Sequence, residues 1–380
     1  MKAIVNSVLV LSNHLIEDGI LVFNEGRIID YGSAVSVKLP DNCEIIDAQG
    51  SYVGPGLIDI HTHAGGSHWF YEDPLEAARE NLIHGTTSVL PTLYFNTAKD
   101  QLLDQIQLVK ESSKKEEGKI IKGLYMEAPY LNPKFGADRE NNPWNKPVDP
   151  KDYKPLIEAA GDFAKVWCVA PELENIEDFA RDVKAAIPDI VFSVAHSEAS
   201  PAQIERLMPY GLKLGTHHTN ATGDLVKYPE VRGVCVDETV NYNDDIYAEL
   251  ICDRKGIHVD PYMLRLVVKI KGKSKIILVS DACVFDGPVP DGYEGAADIN
   301  FDYQGEIAGS KLTLDVACHN MMVHTGASLC DVFNYAAANP AKLLGLTSTG
   351  RIAKGFDADL IMVDDKMKVK TVILEGNIIK

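Results

Sequence analysis

The chain has 380 residues, 46% of them hydrophobic and 24% charged, which is ordinary folded globular material. A formal net charge of −18 excludes a protein that wraps nucleic acid or rests on an anionic membrane. It leaves room for a small anionic ligand, because a local cluster of cations and backbone N–H groups binds phosphate in spite of a negative overall field.

In chain order, the first residues, MKAIVNSVLVLSNHL, contain an apolar stretch interrupted by Asn6 and Ser7, with no small-residue cleavage site. They predict a strand, not a secretory signal. Ile4 to Leu11 is that strand, Gly19 to Asp30 a hairpin around Asn24-Glu25-Gly26, and Ile45-Ile46 and Tyr52-Val53 are further short strands. Eight apolar, β-branched runs then follow: Leu57–His63, Thr86–Thr92, Ile120–Glu127, Ala164–Ala170, Ile190–His196, Leu212–His218, Tyr247–His258 and Lys275–Asp281. Helical patterns such as Pro74–His84, Ala98–Glu117 and Ile176–Ala186 separate most of them, and the irregular stretch Val231–Tyr247 is a place for one extra strand. The chain ends with a strand from Asp359 to Val363 and a hairpin from Val369 to Ile379.

Eight alternations of strand and helix predict an α/β fold, a closed (β/α)8 TIM-type barrel over residues 54–349. An open doubly wound sheet is the alternative, but no GxGxxG follows the first strand. The β-rich ends, residues 1–53 and 350–380, are expected to meet as one small β-sandwich domain. No apolar run is long enough to span a bilayer. Seven cysteines, widely spaced and without a CxxC pair, read as reduced thiols of a cytoplasmic protein.

The chemistry is concentrated at the ends of the predicted strands. His61 and His63 close the first, two residues apart, so their imidazoles share a face. Glu127 ends the third strand, His196 the fifth, His217 the sixth and Asp281 the eighth. In a barrel these C-terminal ends converge on one mouth. One such histidine alone is more often a hydrogen-bonded structural residue. The whole set predicts a catalytic metal site of N/O type, open to water. His14, His68, His84, His319 and His324 lack that context and are expected to be structural or at the surface.

The segments PGLIDIHTHAGG (55–66), YMEAPYLNP (125–133), AHSEAS (195–200), THHTNAT (216–222), GIHV (256–259) and VSDA (279–282) follow one another in a recognisable order. AGSKLTL (308–314), NPAKLLGL (339–346) and GRIAKGFDADLIMVD (350–364) continue it. Over nearly its whole length the chain resembles the N-acetylglucosamine-6-phosphate deacetylases of the amidohydrolase superfamily. Cyclic amidohydrolases carry a carbamylated lysine on the fourth strand; here that strand runs into Val169-Ala170-Pro171-Glu172.

The resemblance implies roles. Glu127, His196 and His217 match the shared metal ligands, and His61 and His63 match the pair that holds a second metal, with Glu127 then able to bridge. Asp281 matches the catalytic aspartate, Asn220 and Ala221 the backbone segment that holds the sugar phosphate, and His258 a substrate-contacting histidine. Lys227 falls where the family has an arginine that reaches the phosphate in the neighbouring subunit, which implies a homodimer. The cofactor implied is a divalent metal, one ion or two, with Zn2+ the first expectation and Fe2+, Mn2+ or Co2+ compatible with the same donors. The metal acidifies water and polarises the amide carbonyl, while Asp281 takes the proton from water and passes it to the leaving nitrogen.

The departures surround the substrate. Glu127-Ala128-Pro129 stands for Glu-Gly-Pro, His218, Thr219 and Thr222 replace the usual aromatic and methionine, and Lys227 lacks the bidentate fork of arginine. Asp138 occupies the position of a histidine that contacts the acyl carbonyl, and an ionised aspartate has no proton to donate there. Three readings follow: hydrolysis of N-acetylglucosamine-6-phosphate to glucosamine-6-phosphate and acetate, deacylation of another N-acyl amino sugar or related amide, and a non-catalytic sugar-phosphate binder. The intact ligand set and Asp281 weigh against the last.

Overall fold

A computed structural model describes residues 1–94, 96–223 and 226–380. Its centre is a sheet of eight parallel strands: β1 (Leu57–Thr62), β2 (Thr86–Leu93), β3 (Leu124–Met126), β4 (Ala164–Val169), β5 (Val191–Val194), β6 (Leu212–Gly215), β7 (Tyr247–Ile251) and β8 (Ile276–Val279). They are neighbours in chain order, and β8 returns to β1: Asp281 N–H donates to the His61 carbonyl at 2.9 Å and His63 N–H to the Ala282 carbonyl at 2.9 Å. The expected TIM-type barrel is present.

Eight helices follow the eight strands: α1 (Pro74–Ile83), α2 (Lys99–Ser112), α3 (Pro150–Ala160), α4 (Ile176–Ala186), α5 (Pro201–Leu207), α6 (Val236–Tyr242), α7 (Pro261–Lys271) and α8 (Leu314–Thr325). Three begin with Asp-Pro: Asp73, Asp149 and Asp260 accept a first-turn N–H, and the proline that follows has no N–H to leave unpaired. In α4, Ile176, Phe179, Ala180 and Val183 are buried, the i, i+3, i+4, i+7 stripe of a helix on a sheet.

The chain ends join in a second eight-stranded sheet. Tyr52–Pro55 pairs antiparallel with Leu360–Val363, and the other strands are Lys2–Val10, Leu15–Asn24, Arg27–Ser33, Glu44–Asp47, Val369–Leu374 and Asn377–Ile378. Lys2–Val10 bends at Asn6, where φ is +52°, a conformation asparagine tolerates better than most residues. Its first half pairs with Glu44–Asp47 and its second half with Tyr52–Val53. Ile4, Leu21, Phe23, Val53, Leu360 and Ile373 form the buried core of this sheet.

Two expectations change. The stretch from Val231 adds only a two-residue strand, Val231–Arg232, paired with Val226–Tyr228 outside the barrel. The rest centres on α6, because Val236, Thr239 and Val240 bury one helical face and Glu238 accepts the Cys235 N–H. The seventh strand stops at Ile251, short of His258, because the Asp253 carboxylate accepts N–H groups from Lys255, Ile257 and His258 and curls the chain into a loop.

Candidate metal centre

The strand order brings His61, His63, Glu127, His196, His217 and Asp281 together at the C-terminal mouth of the barrel, all buried. The donor atoms fall into two groups, His61, His63 and Asp281 in one and Glu127, His196 and His217 in the other. Glu127 joins them. Its Oε1 lies 2.9 Å from His196 Nε2 and 3.6 Å from His217 Nε2, and its Oε2 lies 3.1 Å from His63 Nε2. Asp281 Oδ1 is 3.4 Å from His63 Nε2 and 3.6 Å from His61 Nε2.

These contacts suit a cation better than the side chains alone. The Nε2 atoms of His196 and His217 face each other at 3.0 Å, so a proton on one must serve both. His61 Nδ1 is engaged by Glu249 at 3.1 Å, while its buried Nε2 has no hydrogen-bond partner among the described residues and stands 3.9 Å from Glu127 Oε1. Converging imidazole nitrogens and carboxylate oxygens are the donors of a divalent N/O site.

The electrostatics agree. Burial alone would raise the Glu127 pKa, but hydrogen bonds from His196, His217 and His63 hold it well below the usual carboxylate range. Asp281 is lowered as well, against burial, by His61 and His63. Burial opposes charge on His61, yet the carboxylates of Asp281, Glu249 and Glu127 lift its pKa to about 10. Imidazole protons and carboxylate charge thus face one another across the mouth, and a divalent cation would replace those protons.

The backbone at these positions is strained. His196, His217 and Asp281 have φ of +44°, +28° and +48°, sparsely populated values for such residues that cost on the order of 1–3 kcal/mol each. Partners fix them in place: Asn132 N–H donates to the His196 carbonyl at 3.0 Å, and His217 N–H to Glu249 Oε2 at 3.1 Å. Ser310 N–H donates to the Asp281 carbonyl at 2.8 Å. Gly309, with φ of +64°, passes so close that a Cβ there would lie 2.5 Å from that carbonyl oxygen.

A cleft of about 480 Å³ opens above the centre and includes His63, Glu127, His196, His217 and Asp281 in its lining. Asn220, Ala221 and His258 line it too, and Asn220 Nδ2 donates to the His258 carbonyl at 2.8 Å. Lys227 and Asp138 are not among the lining residues. Lys227 is exposed on Val226–Tyr228. The Asp138 carboxylate accepts from Asn96 at 2.7 Å and Asn141 at 2.5 Å, while its neighbour Arg139 lines the cleft and pairs with Glu306 at 2.5 Å.

Sequence reasoning missed Tyr94, Arg139, Phe285, Glu306 and Gly309 in the cleft wall and Glu249 beneath the histidines. Only Glu249 and Gly309 carried a signal: a glutamate inside an apolar strand, and a glycine in AGSKLTL.

The model of the amidohydrolase family matches residues 52–379. The N-acetylglucosamine-6-phosphate deacetylase of Bacillus subtilis is 29% identical, with 97% of this chain and 95% of that protein aligned. The N-acetylgalactosamine-6-phosphate deacetylase of Escherichia coli O157:H7 is 24% identical over 96% of this chain and 97% of that protein. Among solved structures, the N-acetylglucosamine-6-phosphate deacetylase of Pasteurella multocida superposes with a TM-score of 0.86 at 25% identity, over 99% of both chains. The chain belongs to the amidohydrolase family.

Proposed function

We propose that the protein is a divalent-metal-dependent deacetylase that hydrolyses N-acetylglucosamine-6-phosphate to glucosamine-6-phosphate and acetate. The observation that carries this reading is the convergence of Glu127, His196, His217, His61, His63 and Asp281 in the cleft that Asn220, Ala221 and His258 also line. The near-full-length likeness to deacetylases of amino-sugar phosphates supports the substrate class.

Glu127, His196 and His217 would hold one ion, and His61 and His63 a second with Glu127 between them. Zinc suits this donor set, and Fe2+, Mn2+ and Co2+ accept the same N/O donors. When bound, the metal supplies acidity to water and polarises the amide carbonyl. Asp281, held as a carboxylate at the cleft floor, accepts the proton of the attacking water and returns it to the sugar nitrogen as the C–N bond breaks. Asn220 and Ala221, beyond β6, anchor the phosphate on the wall opposite Tyr94, which follows β2.

A homodimer belongs to the same reading, with Lys227 reaching the substrate phosphate of the neighbouring subunit. What supports it is the exposure of Lys227 beside Tyr228, Val231 and Val234, apolar residues that are also exposed. A cytoplasmic setting fits seven cysteines with no disulfide among the described residues, and no described helix is long and apolar enough to cross a membrane.

The test is acetate release by zinc-loaded protein from N-acetylglucosamine-6-phosphate, its galactosamine epimer and the unphosphorylated sugar. Turnover confined to the glucosamine phosphate is expected. Equal or better turnover of another N-acyl substrate would reassign the enzyme to it.

A further inference from the structure

Glu249 lies in the middle of β7, fully buried, in a barrel whose neighbouring residues Ala248, Leu250 and Ile251 are apolar. A carboxylate there is costly unless its oxygens are used. Both are. Oε2 faces His61 Nδ1 at 3.1 Å and accepts the backbone N–H of His217 at 3.1 Å, and Oε1 accepts the Tyr125 hydroxyl at 2.9 Å. The His217 N–H and the Tyr125 hydroxyl donate, and His61 Nδ1 is placed to donate as well, so a carboxylate here can use both oxygens as acceptors.

The geometry has consequences for both halves of the centre. A proton held on His61 Nδ1 by Glu249 leaves the lone pair on Nε2, the atom that faces Asp281 and Glu127. The bond to the His217 N–H helps to hold the strained φ of +28° that turns this imidazole toward His196. His61 also stacks on the Tyr125 ring with centroids 4.4 Å apart, so the hydroxyl that ties down Glu249 belongs to the ring that supports the imidazole.

We infer that Glu249 is a positioning residue of the metal centre: its negative charge, within hydrogen-bond reach, keeps the proton on His61 Nδ1 and strengthens Nε2 as a donor, and its bond to the His217 N–H holds that backbone, so that both histidines present Nε2 to the metal. This rests on the metal-binding part of the proposed function and does not depend on the substrate.

Glu249→Gln is a close test. With its carbonyl oxygen in place of Oε2 and its amide in place of Oε1, it can keep the bonds to His61 and His217. The Tyr125 hydroxyl then turns to accept the amide and donates to Thr216 Oγ1, 2.8 Å away. Only the negative charge is lost. Zinc stoichiometry and Kd, by chelator competition, and the visible spectrum of the cobalt-loaded protein are the readouts. The Kd of the most weakly held ion should rise by about 10–100-fold, with melting unchanged to within a few degrees. Glu249→Asp keeps the charge but withdraws it from His61, and should weaken the same ion should the Gln variant fail to fold.

Unchanged stoichiometry, Kd and cobalt spectrum in either folded variant would overturn the role of Glu249 while leaving the metal centre in place. An unsubstituted protein that binds no zinc at all would overturn both.

Discussion

The strand ends and the loop rim of the same cleft are built differently. At the strand ends, His61, His63, Glu127, His196, His217 and Asp281 are buried and fall into two close groups, and backbone hydrogen bonds hold His61, His63, His196 and Asp281. At the rim, Arg139 and Glu306 meet across two loops, each with over 40% of its side chain exposed, and Lys134 pairs with Glu198 in a similarly open setting. The contrast separates two tasks. On the proposed reading, atoms that would converge on a metal are fixed by the sheet, whereas atoms that would meet a substrate sit on connections free to vary in length and sequence.

Substitutions sharpen that contrast when ranked by effect. Asp281→Asn removes the proposed proton acceptor and keeps the size of the side chain, so kcat should fall by about 10²–10⁴-fold with KM little changed in steady-state acetate assays. Gly309→Ala places a methyl group where the Asp281 carbonyl already lies and strains a positive φ. Displacing Asp281 by a fraction of an ångström should lower kcat by about 100-fold, and a structure of the variant should show the shift. At the rim, Glu306→Gln should change kcat/KM by roughly tenfold or less, mostly through KM, and leave melting unaltered, since exposed ion pairs contribute only about 0–1 kcal/mol. An effect as large as that of Asp281→Asn would break the distinction between floor and rim.

The smallest effect concerns the loop that presents His258. Burial would raise the Asp253 pKa, but the His258 side chain and the N–H groups of Ile257 and His258 outweigh it and lower the value to about 2. A carboxylate lowered on folding stabilises the protein fully above its unfolded value of 3.8, and that contribution is lost as pH falls through about 2. Asp253→Asn should therefore cost on the order of 1–2 kcal/mol near neutral pH, after discounting for solvent screening, in urea unfolding. The gap should narrow as the pH drops below 4.

The floor was legible in the sequence because strand geometry is rigid. The spacing of two between His61 and His63, with only Thr62 between them, guarantees a common face, and an apolar run that stops at a histidine or carboxylate marks the top of a barrel strand. The β-rich ends were readable from their turns, such as Asn24-Glu25-Gly26, where Glu25 and Gly26 both adopt positive φ. The rim was not readable, since whether Asp138 or its neighbour Arg139 faces the cleft depends on the left-handed turn at Asp138, with φ of +51°, and on the Asp302 carboxylate that accepts its N–H. The end of β7 at Ile251 was legible in the polar run Asp253-Arg254-Lys255-Gly256, which breaks the apolar strand before His258, whereas the loop's conformation, set by the Asp253 carboxylate, was not.

The central claim is that the buried strand-end cluster binds the metal and that the bound metal makes the protein a deacetylase. The direct test is to strip the protein with a chelator, return zinc in measured steps, and follow bound ion and acetate release from N-acetylglucosamine-6-phosphate together. Activity should be absent at the start, rise in step with occupancy, and reach a plateau at one or two ions per chain. Full activity in metal-free protein, or complete occupancy without acetate release from this substrate, would contradict the account.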